Sequence, residues 1–254
     1  MRLIISLIPA YLFITSFFNY IVMRHDVHGS EYIELADKYA GSVVQLKAGC
    51  GTLIRENVII TAAHVVSFSE IETNVTIDGV AYEIEKSIIH PRFNMRQSLE
   101  NDIAILILKE NVPDIEIAKL YPKSDELGKE IIFAGTGWAG TGDKGMIDEA
   151  INKDGVMRAA QNRIDDITEN GFLRFTFDEP GSGNALPLEG ISGPGDSGGP
   201  ALWFDGDQAY LMGVSSHQNG RGLDNPEGVY GVFEYYTRIS EFSKWIEQEL
   251  GKVN

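Results

Sequence analysis

An antiparallel all-β fold closed by one C-terminal helix is what the 254 residues predict, and three observations predict it. Runs rich in Val, Ile, Thr, Phe and Tyr are punctuated by Gly, Asn, Asp and Pro at roughly ten-residue spacing, the rhythm of short strands and turns. Strands do not alternate with long helical patterns, which disfavours a parallel α/β sheet. The 27 glycines and 10% aromatics suit a turn-rich chain. With 43% hydrophobic and 23% charged residues the chain has enough apolar material for a sizeable core, in one domain or two small ones.

The elements follow in order. Arg2 precedes an apolar run over 3–18, the basic flank and hydrophobic stretch of a secretory signal. A retained membrane anchor is the alternative, because the run approaches the ~18 residues of a span; Pro9 and the shortness of the run favour cleavage, and a buried core helix is the bland reading. The protein is thus expected to be secreted or periplasmic, meeting a membrane only through 3–18 if that segment is kept. Candidate strands occupy 42–47, 51–55, 57–61, 74–77, 81–89, 103–108, 130–134, 155–162, 172–177, 200–204, 208–214 and 228–232. Residues 110–129, with Pro113 and Pro122, read as a connection between domains. Gly-rich 135–145 and 181–199 read as surface loops of the kind that carry function. Ile239, Phe242, Trp245, Ile246 and Leu250 recur at three- and four-residue intervals and predict a helix over 238–250.

Charge and ligand chemistry narrow the function. The 21 Lys and Arg against 37 Asp and Glu give a formal charge of −16, which repels phosphate backbones and argues against nucleic acid as a partner. One cysteine, Cys50, excludes an internal disulfide and every multi-cysteine metal site, and the histidines at 25, 28, 90 and 217 lack ligand spacing, so neither a metal nor a cofactor is expected. Asn74-Val75-Thr76 fits a glycosylation acceptor, which matters only in a eukaryotic secretory pathway.

Three segments carry chemistry: Thr61-Ala62-Ala63-His64, Asn101-Asp102 ahead of an apolar run, and Gly195-Asp196-Ser197-Gly198-Gly199-Pro200. A serine hydroxyl is a weak nucleophile until a base takes its proton, and that base must be held in one tautomer by an acceptor behind it. Glycines around Ser197 let the backbone take unusual angles and turn the N–H groups of Gly195 and Ser197 toward a developing oxyanion. Singly, His64 reads as a structural histidine and Asp102 as a turn carboxylate; jointly and in this order they read as a catalytic set.

These segments resemble the signatures of the chymotrypsin-like (trypsin-like) serine peptidases, as do Cys50-Gly51-Thr52-Leu53-Ile54, Gly137-Trp138 and Gly228-Val229-Tyr230. The resemblance, which runs from about residue 21 to the C-terminal helix, implies two six-stranded antiparallel β-barrels with the site in the cleft between them. The first barrel, 21–122, would carry His64 and Asp102; the second, 123–237, would carry Ser197; 238–254 would be the helix and tail. The implied activity is that of an exported, monomeric serine endopeptidase acting on protein or peptide substrates through an acyl-enzyme. A catalytically silent homologue that binds a partner in the cleft, and an esterase or single-substrate peptidase, are the competing readings.

The departures from the family are informative. Val65 stands where a bridging partner of Cys50 would be, so the bridge is absent, and the divergence points to a bacterial or otherwise distant member. The primary-pocket floor falls on Ile191 rather than an aspartate, which implies an apolar or small P1 side chain, since an unpaired buried cation is costly. Ser216, His217 and Gln218 would line one wall, with Gln218 narrowing the entrance, Gly228 would keep the other wall open, and Glu189 is a rival floor residue if the loop shifts by two positions. Ile21-Val22 is the candidate new N-terminus, its ammonium pairing with Asp196 after cleavage behind Tyr20; the alternative is that this pair merely ends the hydrophobic segment.

Overall fold

A computed structural model describes residues 21–68, 73–137, 140–146, 155–219 and 227–252. The proposed signal or anchor over 3–18 and Trp138 lie outside them. No helix among the described residues is long and apolar enough to cross a membrane.

The longest apolar runs build the first barrel. Val58–Thr61 and Ala104–Leu108 are buried along their whole length and pair antiparallel from Val58↔Ile107 to Thr61↔Ala104. Around them the sheet runs Val43–Leu46, Gly49–Arg55, Val58–Thr61, Ala104–Leu108, Val80–Ile89, Asn74–Ile77. Leu53, Ile59, Ile60, Ile103 and Ile105 fill the interior at essentially zero exposure, each such side chain contributing about 1.5–3 kcal/mol by burial.

The second sheet is a more open half-barrel. Arg158–Arg163, Glu130–Gly135, Pro200–Asp205, Gln208–Asn219, Phe233–Arg238 and Phe172–Thr176 follow one another antiparallel, with Asp166–Ile167 at the edge. Asn162 Nδ2 donates to Thr176 O at 2.8 Å and draws the ends of the sheet toward each other. Among the described residues, two strand pairings are parallel, Lys119–Leu120 with Tyr210–Leu211 and Val22–Met23 with Gly140–Thr141, beside an isolated parallel bridge between Gln161 and Glu189. The fold is chymotrypsin-like and all-β with few helices.

Two elements differ from the sequence reading. A helix over Gly29–Tyr39 was not expected, yet Tyr32, Leu35, Ala36 and Tyr39 form an i, i+3, i+4, i+7 stripe; Glu31 lies in its first turn and the His28 ring accepts from Ser30 N–H as its N-cap. The strand expected at 228–232 begins instead at Phe233 and ends at Arg238. Gly228 and Gly231, at φ +71° and +88°, make 228–231 turn backbone, while Glu234, Thr237 and Arg238 disguise a buried strand as a polar one.

The C-terminal helix, Ile239–Leu250, docks its predicted face: Ile239, Phe242, Ile246 and Leu250 are buried in a cluster that joins first-barrel residues to Leu202, Leu211 and Val214 of the second sheet. Its start is pinned by a buried bidentate ion pair, Arg238 Nε and Nη2 to the Glu126 carboxylate at 2.9 and 2.8 Å, with Ser240 Oγ donating to Glu126 at 2.7 Å. Burial alone would raise the Glu126 pKa, but these hydrogen bonds outweigh it and hold the carboxyl below its usual range.

Candidate active site

Strand pairing delivers the first two groups. Thr61 ends one central strand and Ala104 begins its partner, so residues just past the first and just before the second emerge side by side. His64 lies in the short helix Ala63–Phe68, and Asp102 lies two residues ahead of its strand. Asp102 is fully buried. Its Oδ2 faces His64 Nδ1 at 2.6 Å and its Oδ1 accepts the His64 backbone N–H at 2.8 Å, so one carboxylate orients both ring and main chain. A β-bulge turns Ser216 out of register between Ser215↔Tyr236 and His217↔Tyr235, and Ser216 Oγ donates to Asp102 Oδ2 at 2.7 Å. Thr237 Oγ1 donates to the Asp102 carbonyl at 3.0 Å.

Ser197 is tied to the first barrel, and its neighbour Gly198 to the second sheet, by main-chain contacts. The Ser197 carbonyl accepts from Cys50 N–H at 2.8 Å, across from the second sheet to the first barrel, and Gly198 N–H donates to Ser215 O at 2.9 Å. Gly198 has φ +80°, and a Cβ there would lie 2.2 Å from Thr61 Oγ1 and 2.5 Å from Cys50 O; only glycine permits both the angle and the approach. Ser197 therefore stands one residue from contacts to the segment that carries His64 and to the strand that holds Asp102. Gly195, at φ +99°, bends the loop ahead of Ser197. Burial pushes the Cys50 thiol up, so it stays protonated and inert.

Asp196 is buried beneath this loop. Its carboxylate accepts the N–H groups of Gly137 and, at 2.8 Å, Gly193. Burial dominates over those hydrogen bonds and raises its pKa to about 7. Ile21 is also fully buried, with Val22 paired to both Gly140 and Ile191. The Gly137 and Gly193 donors to Asp196 are both backbone N–H groups.

The residues expected in the pocket separate. Ile191 is fully buried, in an apolar cluster with Val22, Val232 and Tyr236. Ser216 serves Asp102 as described. His217 stacks on Tyr235 with ring centroids 4.7 Å apart and meets Phe172 edge-on at 5.1 Å. Gln218 Nε2 donates to Ser192 O, joining the two segments that flank Ser197. Gly228 lies in the turn before the strand Phe233–Arg238, and the residue paired with Gln218 is Glu234. Glu189 is spent elsewhere, accepting the N–H groups of Leu186 and Asp178 at 2.8 and 3.2 Å. Glu234 was not singled out from the sequence, where no local pattern marks it; it is 1% exposed, and Ser192 Oγ donates to its Oε1.

The trypsin family model matches residues 29–246. The chain belongs to the trypsin family. A curated relative, the vitellin-degrading protease of Bombyx mori, is 28% identical over 218 residues, which span 79% of this chain and 75% of that protein. As a trypsin-family member the chain is a chymotrypsin-like serine-type hydrolase, and a protease domain implies protein or peptide substrates. Among the described residues no group of His, Cys, Asp and Glu side chains has the makings of a metal site.

Proposed function

We propose that this trypsin-family protein is an exported, monomeric endopeptidase in which Ser197 attacks the scissile carbonyl, His64 is the general base and Asp102 orients it. The reading rests on the two hydrogen bonds by which the buried Asp102 carboxylate grips His64. With Nδ1–H held by Asp102, the other ring nitrogen is left as acceptor for the Ser197 proton. Attack forms the Ser197 Oγ–carbon bond and places negative charge on the carbonyl oxygen, which the N–H groups of Gly195 and Ser197 receive. His64 then gives the proton to the leaving amine, and an acyl-enzyme remains. Water, deprotonated by the same ring, hydrolyses the ester and restores Ser197.

The segment 3–18 acts as the export signal, and cleavage behind Tyr20 frees the Ile21 ammonium to pair with Asp196. In support, Ile21 is already interior, and the raised Asp196 pKa marks a carboxylate short of a cation.

The test is incubation with a serine-directed fluorophosphonate. Wild type is expected to be labelled at Ser197 and Ser197→Ala to be left unlabelled; equal labelling of both proteins overturns the assignment.

A further inference from the structure

One buried hydroxyl joins three parts of the chain. Tyr32, near the start of the helix Gly29–Tyr39, is fully buried. Its Oη accepts the Arg24 backbone N–H at 3.1 Å and donates to the Glu189 carbonyl at 2.9 Å. Burial pushes the phenol up, so it keeps the proton that it gives to Glu189. The helix, the arm that begins at Ile21 and the segment 186–192 thus meet on one atom.

The arm grips that segment as well. Val22 and Met23 pair antiparallel with Ile191 and Gly190, and Arg24 Nη1 donates to the carbonyls of Leu186 and Pro187 at 2.8 and 3.3 Å. The strand Arg158–Arg163 holds it too: Gln161 N–H donates to Leu188 O at 2.8 Å and Asn162 Nδ2 to Gly190 O at 3.0 Å. A Cβ on Gly190 would lie 2.6 Å from Val22 O and 2.7 Å from Ala160 Cβ, so arm, segment and strand are closely packed. The lone cysteine lies in the strand Gly49–Arg55, so no disulfide braces the segment. Beyond Ile191 it runs into the nucleophile loop, where Ser192 O accepts from Gln218 Nε2 and Gly193 N–H donates to Asp196 at 2.8 Å.

A phenylalanine would bury the same ring without a polar atom. A buried hydroxyl is tolerated only when it is hydrogen-bonded, and here its two partners are the arm and the carbonyl two residues ahead of Ile191. Ring packing alone therefore does not account for a tyrosine at this position.

We propose that Tyr32 is a positioning residue for substrate binding: acting through the Glu189 carbonyl, it fixes the segment 186–192 as the wall against which a substrate side chain beside Ser197 is held. This rests on the peptidase reading and extends it to a helix that carries none of the reacting groups. Without the phenol, the Glu189 carbonyl and the Arg24 N–H lose their shared partner. The segment keeps its strand pairing and gains freedom to tilt, so substrate binding weakens while the His64–Asp102 pair is untouched.

The experiment compares wild type with Tyr32→Phe and Arg24→Met on the peptide amide that wild type cleaves best in a P1-varied set. Tyr32→Phe is expected to raise KM about fivefold and to leave kcat within about twofold. Its inactivation rate with diisopropyl fluorophosphate, a reagent with no peptide side chain to seat, is expected to match wild type. Arg24→Met, which keeps the apolar stem and deletes the guanidinium, is expected to raise KM in the same way, and the two changes together by less than the product of the single effects. A tyrosine needed only for stability would instead lower the folded fraction, which reduces kcat and the inactivation amplitude and leaves KM unchanged; that pattern overturns this inference and leaves the peptidase reading intact. Should Tyr32→Phe yield no folded protein, Arg24→Met decides alone, and an unchanged KM there overturns this inference. Loss of Ser197 labelling in wild type overturns both.

Discussion

The two halves of the proposed site are held by different kinds of force. On the first-barrel side, His64 and Asp102 meet because two fully buried strands pair, and their side chains then lock each other through directed hydrogen bonds. On the second-sheet side, Ser197 is placed by main chain: its carbonyl on Cys50 N–H, Gly198 N–H on Ser215, and a glycine pressed against Thr61. The first half depends on chemical identity and the second on the absence of a side chain. Replacing a functional group should therefore silence the first half without loosening the fold, whereas adding a methyl should displace the second.

Asp102→Asn tests the first statement and carries the largest effect. The amide cannot accept at both oxygens, so the His64 tautomer and the developing imidazolium lose their partner. Catalysis is expected to fall on the order of 10²–10⁴-fold with the melting curve little changed, read as kcat/KM beside thermal denaturation. Gly198→Ala tests the second. The new Cβ meets Thr61 Oγ1 and Cys50 O at a positive φ, and strain of about 1–3 kcal/mol is expected to lower stability and activity together; a variant that keeps wild-type rates and melting temperature would refute the close approach. The smallest effect is a pH slope. Because the folded Asp196 pKa is raised to about 7, its contribution to stability is fully present below about pH 3.9, the unfolded value, and is lost as pH rises through 7. Protein that still carries residues before Ile21 is expected to show urea midpoints that drop between about pH 4 and 7, and Asp196→Asn to lessen that slope. The form beginning at Ile21 is expected to show a smaller drop, since the ammonium neutralises the Asp196 carboxylate while the buried Glu189 and Glu234 titrate alike in both forms; identical slopes in both forms would remove the pairing.

The same division explains what the chain announces in advance. The runs 57–61 and 103–108 are legible because a strand buried on both faces is apolar throughout, and both appear within a residue or so as Val58–Thr61 and Ala104–Leu108. The C-terminal helix is legible because its apolar stripe survives translation into burial. The strand Phe233–Arg238 is not legible: it buries Glu234, Thr237 and Arg238, whose polarity mimics a surface segment until their partners are known. The helix Gly29–Tyr39 does carry a signal in Tyr32, Leu35, Ala36 and Tyr39, obscured by the charged residues between them.

Local pattern thus established the strand-rich architecture, the closing helix, the order of the reactive segments and the single cysteine, because periodicity and residue type are properties of neighbours along the chain. Which charges are buried, and against what, was decided by packing. The pairing of Gln218 with Glu234 and the bulge that turns Ser216 toward Asp102 arise from strand register between segments distant in sequence, and Asp196 takes one of its donors from Gly137, 59 residues away. The free energy of a buried carboxylate depends on donors supplied by those other segments, and no window of sequence contains them.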